Sequence, residues 1–422
     1  MATSGLPGHI DPFATGIWDA SRNCGDKRLQ AFLPNAGRHY AEERNYDLGP
    51  GDRSNVSTLS PWIRHRLVTE AEVVRAVLDI HSYRSAEKFI QEVLWRTYWK
   101  GWLELRPAVW DDYRMAVDRW HRELAGDDVL RNRFCKATEG QTGIDCFDAW
   151  AAELVEHGYL HNHARMWFAS IWIFTLKLPW ELGADFFLRF LLDGDPASNT
   201  LSWRWVAGIQ TPGKTYLARP DNIAKFTVGR WKTTDQLATE AAPVAGLAPP
   251  QPIALPSPAR LDPSLSTGLL VTDEDCHPES LDIPRNIIRS VTGLVCRRDR
   301  SPLAAGELPM AFANSAVTDA VDRAGAWFDC PSIALPEGDA ASALMDWVRG
   351  HGLRQVVTAY APVGPTQQRL RQLEIRLAAA GISMVFVQRP WDRVFWPHAV
   401  RGFFPFKDRI QGLLGELSLL GS

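Results

Sequence analysis

The chain has 422 residues, 45% of them apolar and 23% charged, with a formal net charge of −3. That length allows two domains that each bury a core, and the charge excludes a protein that binds nucleic acid through overall basicity. Six scattered Cys without a Cys-x-x-Cys pair predict reduced thiols, a cytoplasmic protein and no metal centre, and no charge-free apolar stretch approaches the roughly 18 residues of a membrane span.

The opening Met-Ala-Thr-Ser-Gly-Leu-Pro-Gly has no basic region followed by an apolar run, so no signal peptide is expected. Residues 1–60 are rich in Gly, Pro, Asn and Asp and predict irregular chain with a helical patch at Arg28–Leu33. From Ser60 to Trp231 apolar residues recur at i, i+3 and i+4. Helices are predicted over Thr69–Tyr83, Ala86–Leu105, Cys146–His157, His163–Leu176 and Pro179–Leu192. Thr69 and Ser85 are the predicted N-caps, with Glu72 completing a capping box after Thr69. Residues 233–265 are Pro- and Ala-rich and predict an extended linker. Beyond it, strands are predicted at Gly268–Thr272, Gly293–Cys296, Met310–Ala313, Gln355–Ala359 and Ser383–Gln388, with helices at Ala340–Gly350 and Thr366–Ala380. That alternation is βαβ texture. The expected fold class is therefore multidomain α and α/β: an all-helical domain (1–232), the linker (233–265) and a Rossmann-like parallel α/β domain (266–422).

Two stretches carry unusual chemistry. Asp193-Gly-Asp195-Pro-Ala-Ser-Asn199, followed by Trp203-Arg-Trp205, sets two carboxylates, an amide and two indoles within thirteen residues. Carboxylates beside so much apolar surface need partners. Ser57-Thr58-Leu59-Ser60 before Pro61 offers hydroxyls and backbone N–H groups at a helix start, which suits a pyrophosphate. Taken alone, the same run reads more readily as a plain helix cap. Eighteen Trp are present, fourteen of them before residue 232. Such density predicts a Trp-rich core with a few rings used for stacking or electron transfer.

Asp193-Gly-Asp195 with Asn199, Trp203 and Trp205 resembles the flavin-binding signature of the DNA photolyase/cryptochrome family. Arg38-His-Tyr40-Ala-Glu-Glu-Arg44-Asn, Ser57-Thr-Leu-Ser60-Pro, Glu92-Val-Leu-Trp95-Arg96 and His161-Asn162-His-Ala-Arg165-Met166 resemble the family's other motifs, over about residues 28–231. The resemblance implies a FAD-binding helical domain. Its cofactor residues would be Tyr40, Ser57, Thr58, Leu59, Ser60, Phe89, Arg96, Asn162, Arg165, Asp193, Asp195 and Asn199. Arg165 and Asp193 would stand beside the flavin N5, Asp195 at the N3–H and Asn199 facing N5. The chain departs from the family where Val56 and Thr58 replace a Thr and an Arg of the phosphate-binding run.

The resemblance further implies light-driven repair of cyclobutane pyrimidine dimers by a deoxyribodipyrimidine photo-lyase, with UV-damaged DNA as partner. Glu92, Trp95, Asn162, Met166 and Trp205 would hold the lesion. Trp203 and Trp180 would belong to an electron chain, with Trp120 or Tyr159 as its outer member. Arg44 and some of Arg64, Arg66, Arg204 and Lys214 would meet DNA phosphates. A cryptochrome-like photoreceptor that binds FAD without repair is the alternative. Gly338-Asp-Ala, Gln355 to Pro365, Arg369 to Gly381-Ile-Ser and Phe403-Phe-Pro-Phe406 resemble the family's antenna domain, which ordinarily precedes the helical one. A second, antenna chromophore would then sit at the carboxyl edge of its sheet. A monomer without membrane attachment is expected.

Overall fold

In a computed structural model of the chain, residues 18–420 are described except 233–235, 258–259 and 336–338, and nothing is said of the side chains of 297 and 298. The opening octapeptide, Gly338 and part of the linker lie outside the described residues. The first half is helical: α1 (Arg22–Phe32), α2 (Arg38–Glu43), α3 (Ser60–Arg64), α4 (Glu70–Leu78), α5 (Tyr83–Glu104), α6 (Ala108–Gly126), α7 (Asp128–Thr138), α8 (Asp145–His157), α9 (Asn162–Ser170), α10 (Trp180–Phe190), α11 (Pro196–Val206) and α12 (Pro220–Phe226).

Several sequence expectations change here. Within residues 18–60, α1 contains most of the expected helical patch at Arg28–Leu33, and α2 is a second helix where irregular chain is expected. Ser82, not Ser85, caps α5, its hydroxyl accepting from the Ser85 N–H. The Thr69–Glu72 capping box forms. His163–Leu176 divides into α9 and a π-helical turn at Ile171–Thr175.

The second half is a five-stranded, wholly parallel sheet in the order β3-β2-β1-β4-β5. Its strands are β1 (Thr267–Thr272), β2 (Ile288–Leu294), β3 (Ser332–Ala334), β4 (Gln355–Ala359) and β5 (Ser383–Val387). The order reverses at β1/β4, as in doubly wound folds. α13 (Glu307–Phe328) covers one face; α14 (Ala340–Gly350) and α15 (Pro365–Ala379) cover the other. Met310–Ala313, expected as a strand, lies inside α13. Its Phe312 shares a buried face with Ala316 and Ala320, which a four-residue apolar window does not reveal. β2 begins five residues before the expected Gly293–Cys296 and ends at Leu294, and β3, three exposed edge residues, matches no expected strand.

The chain ends in α16 (Pro390–Phe395), α17 (Phe403–Lys407) and α18 (Ile410–Glu416), which return to α5. Trp391 Nε1 donates to Thr97 Oγ1 at 2.9 Å and the Tyr98 hydroxyl donates to the Arg401 carbonyl at 2.7 Å. One apolar cluster runs from the helical half through the inner face of α13 to α18. The Pro-rich segment lies along the helical half: the Val244 and Ile253 N–H groups donate to the Ala207 and Leu105 carbonyls.

Candidate flavin and substrate site

Helices α5, α9 and α11 and the loop before α3 line most of a cavity of about 520 Å³. α5 lines it with Phe89, Glu92, Trp95, Arg96 and Trp99, and α9 with Asn162, Arg165, Met166 and Ala169. Both sets have the i, i+3, i+4, i+7 spacing of one helical face. α11 adds Ser198, Asn199, Ser202, Trp203 and Trp205, and the loop before α3 adds Val56, Ser57, Thr58, Leu59 and Ser60. Tyr40, Asp193 and Asp195 complete the set, so every residue expected to hold the flavin or the lesion lines this one cavity, as does Trp203, while Trp180 does not.

The deep wall is polar and buried: Asp193, Asp195, Asn199 and Trp203 are all under 9% exposed. The mouth is aromatic and partly open, with Glu92, Trp95, Met166 and Trp205 half-buried and Asn162 exposed. Trp205 stacks on Tyr216 with centroids 5.8 Å apart, and Trp95 stacks on Phe403 at 3.5 Å. One face of Trp95 is thus covered from the second half of the chain.

Asp193 Oδ2 receives Arg165 Nη2 at 3.0 Å, with Arg96 Nη2 at 3.9 Å. Burial pushes this carboxyl up, but the two guanidiniums outweigh it and hold the group below its ordinary value. Asp195 caps α11, its Oδ1 accepting from the Ser198 N–H at 2.7 Å. Its Oδ2 lies 3.5 Å from Lys100 Nζ and 3.8 Å from Arg64 Nε. Against burial, these cations keep it far below the usual carboxylate range. The Asn199 amide donates to the Ala184 carbonyl at 2.7 Å. The phosphate-side loop is held from behind by Arg28, whose Nε donates to the Ser57 carbonyl at 2.7 Å. Thr58 adopts φ 50°, a left-handed conformation costly for a β-branched residue, and such strain gathers at ligand clamps.

These residues fit a dinucleotide. Thr58 Oγ1, Ser198 Oγ and Asp193 Oδ1 are buried without a protein partner, and all three residues line the cavity. Buried polar atoms are rarely left so unless a ligand or water satisfies them. The volume lies in the range of cofactor sites.

Other expectations are corrected. Arg64 and Arg66 do not face solvent; they are 0% and 1% exposed. Arg64 grips both oxygens of Glu274 at 2.8 and 2.5 Å, and Arg66 those of Asp392 at 2.9 and 2.6 Å. Arg204 is 7% exposed and turned to Gln210 and the Leu247 carbonyl. Arg44 is half-buried and lines the cavity, and Lys214 is exposed. Trp180 lies behind the cavity wall, its ring 5.8 Å from Tyr113, which is 5.3 Å from Trp110; the ring of Trp203 meets Trp172 at 6.2 Å. Tyr159 lines the cavity itself, beneath Arg165, rather than lying outward of Trp180. Trp120 is half-buried on α6. At the β1/β4 edge, where the antenna chromophore was expected, stand side chains of the helical half: Arg64 meets Glu274, while Glu104 accepts from the Tyr360 hydroxyl at 2.8 Å and the Val363 N–H at 2.5 Å. Sequence reasoning missed Lys100. Its signal is a lone cation in Tyr98-Trp-Lys-Gly-Trp102, one turn beyond Arg96.

Residues 89–228 match the profile of a family described as the FAD binding domain of DNA photolyase. The deoxyribodipyrimidine photo-lyase of Streptomyces griseus is 33% identical over 214 residues, covering 50% of this chain and 44% of that protein. That of Agrobacterium fabrum is 31% identical over 199 residues, covering 46% of this chain and 39% of the relative. The chain thus spans less than half the length of these curated relatives. A class III photolyase crystal structure from Agrobacterium tumefaciens aligns with TM-score 0.41 and 27% identity, over 52% of this chain and 46% of that one. The helical half is a FAD-binding domain. Residues 89–228, within this half, are similar to the FAD binding domain of DNA photolyase. Among the described residues, no helix is long and apolar enough to cross a membrane.

Proposed function

We propose that the protein is a light-driven deoxyribodipyrimidine photo-lyase acting on cyclobutane dimers in UV-damaged DNA, with residues 1–232 as its flavin domain, 233–265 as linker and 266–422 as an antenna-like domain. The observation that carries this reading is convergence. Glu92, Trp95, Asn162, Met166 and Trp205 gather at the mouth of the cavity whose floor is the Asp193–Arg165 pair. A receptor has no need of such a clamp.

Reduced FAD, which Arg165, Asp193, Asp195 and the Ser57–Ser60 loop would hold, would supply light-driven, redox-neutral electron transfer to the dimer. The chain's own work is positioning. Trp205 and Trp95 offer ring faces to a flipped dipyrimidine, whose extrusion costs a few kcal/mol, least for a lesion that already stacks badly. Burial raises the Glu92 carboxyl above its ordinary value, more than Arg44 and Lys88 lower it. Glu92 is therefore biased to keep a proton, which it can donate in a hydrogen bond to a pyrimidine carbonyl. Arg165 and Arg96 favour negative charge on a ring placed beside them.

The test is illumination of reduced protein with a thymine-dimer oligonucleotide against a dark control. Dimers that persist in the light with the flavin fully reduced would contradict repair. Glu92→Ala should reduce repair severalfold at unchanged flavin content; loss of flavin instead would make Glu92 structural. The burial of Arg64, Arg66 and Arg204 leaves fewer cations for DNA and favours the second reading, a photoreceptor that binds FAD without repair.

A further inference from the structure

The α/β half reaches the loop Asp193–Pro196 at several points. Arg300, ending a 3-10 turn at Arg297–Arg300, donates from Nη1 to the Gly194 carbonyl at 2.5 Å. Arg64 donates to the same carbonyl from Nε at 3.0 Å while Glu274, just past β1, holds its terminal nitrogens. Gly364, before α15, has φ 157° and approaches so closely that a Cβ there would stand 2.9 Å from Pro196 Cγ. The Arg300 turn is itself tied down. Arg114 of α6 donates to the Asp299 carbonyl at 3.1 Å and to the Arg300 carbonyl. The Asp299 carboxylate accepts twice from Arg369, at 3.1 and 3.2 Å.

Two guanidiniums on one carbonyl repel each other. Burial first, and Arg64 second, draw Arg300 down to about 10, which leaves it protonated at neutral pH. Acids around them offset the repulsion: Asp195 and Glu274 beside Arg64, and Asp273 Oδ2 at 3.6 Å from Arg300 Nη2.

We propose that Arg300 is a positioning residue for the flavin, fixing through the Gly194 carbonyl the loop that carries Asp193 and Asp195. With Arg64 and Lys100 it places positive charge behind those carboxylates. The α/β half is then part of the flavin site and not only a module attached to it. Positive charge there favours the anionic reduced flavin, so its removal makes the flavin harder to reduce.

The test compares Arg300→Met, Arg300→Lys and Arg369→Met, the last loosening the same turn without touching Gly194. Two quantities are read: the FAD dissociation constant from titration of apoprotein, and the midpoint potential of the bound flavin. Arg300→Met should weaken FAD binding about tenfold, as expected for one charge-assisted hydrogen bond, and shift the potential negative. Arg300→Lys should restore most of the potential, and Arg369→Met should leave both near wild type. Wild-type affinity and potential in Arg300→Met would overturn the inference, as would an Arg369→Met that reproduces the changes. Arg300→Gln replaces Arg300→Met, under the same criteria, if the latter does not fold. A wild-type protein that takes up no FAD would instead defeat the cofactor assignment itself.

Discussion

The cavity of the helical half and the β1/β4 edge of the sheet both gather buried charge, and they treat it differently. At the edge, Arg64, Arg66, Lys100, Arg300 and Arg389 each have a carboxylate within 4.0 Å. Arg66 meets Glu70, Asp275 and Asp392 at once. Hydrogen bonding is incomplete on both sides: Lys100 Nζ, Arg300 Nη2 and Asp273 Oδ2 lack a hydrogen bond at the edge, and the buried Thr58 Oγ1, Ser198 Oγ and Asp193 Oδ1 lack one in residues that line the cavity of about 520 Å³. Matched charge makes a docking surface, and polar atoms left unmatched around a void make a binding site.

The contrast can be broken most forcefully at Arg66. Arg66→Met leaves Asp392, Glu70 and Asp275 buried without their shared cation, and should cost about 3–5 kcal/mol in urea denaturation. A loss under about 1 kcal/mol would mean the edge tolerates unpaired charge, and the comparison fails there.

A second break uses pH. Burial pushes Glu104 up to about 7, with the Tyr360 hydroxyl and the Val363 N–H pulling the other way. Its unfolded value is near 4.5, so the folded protein binds the extra proton. The stability Glu104 contributes is full below about pH 4.5 and is lost as pH rises through about 7. Wild type minus Glu104→Gln should therefore change by about 1–3 kcal/mol across that window. Subtraction removes the opposite trend from His161 and His277, whose burial lowers both to about 4. A pH-independent difference would show that Glu104 does not titrate there.

The smallest effect sharpens the cavity side. Thr58→Val removes a buried hydroxyl that has no protein partner. Apoprotein stability should stay level or rise by up to about 1 kcal/mol, while FAD affinity falls severalfold. A destabilised apoprotein with unchanged FAD affinity would make that hydroxyl structural.

This division explains what the sequence disclosed. The cavity was legible because its residues come in short contiguous motifs: Ser57–Ser60, Glu92–Arg96, Asn162–Met166 and Asp193–Trp205 each deliver several wall residues from one turn or loop. Helix periodicity then aims them inward together. The docking edge was not legible, because its pairs are made across the fold. Arg64 finds Glu274 210 residues away and Arg66 finds Asp392 326 residues away, and neither is marked locally. Read alone, those arginines look like solvent-facing cations. The same limit hid α13, whose buried face emerges only over five turns, and β3, whose three residues pair with β2 but bury nothing. The sheet itself was readable from β1, β4 and β5, where continuous apolar runs signal strands covered on both faces.

The central claim is that the cavity behind Asp193 is a flavin site, and titrating FAD into purified apoprotein tests it most directly. The account predicts about one FAD bound per chain, with binding strongly weakened by Arg165→Met, which takes the cation from Asp193 Oδ2. A wild-type protein that stays colourless after incubation, or FAD binding that Arg165→Met leaves untouched, would contradict it.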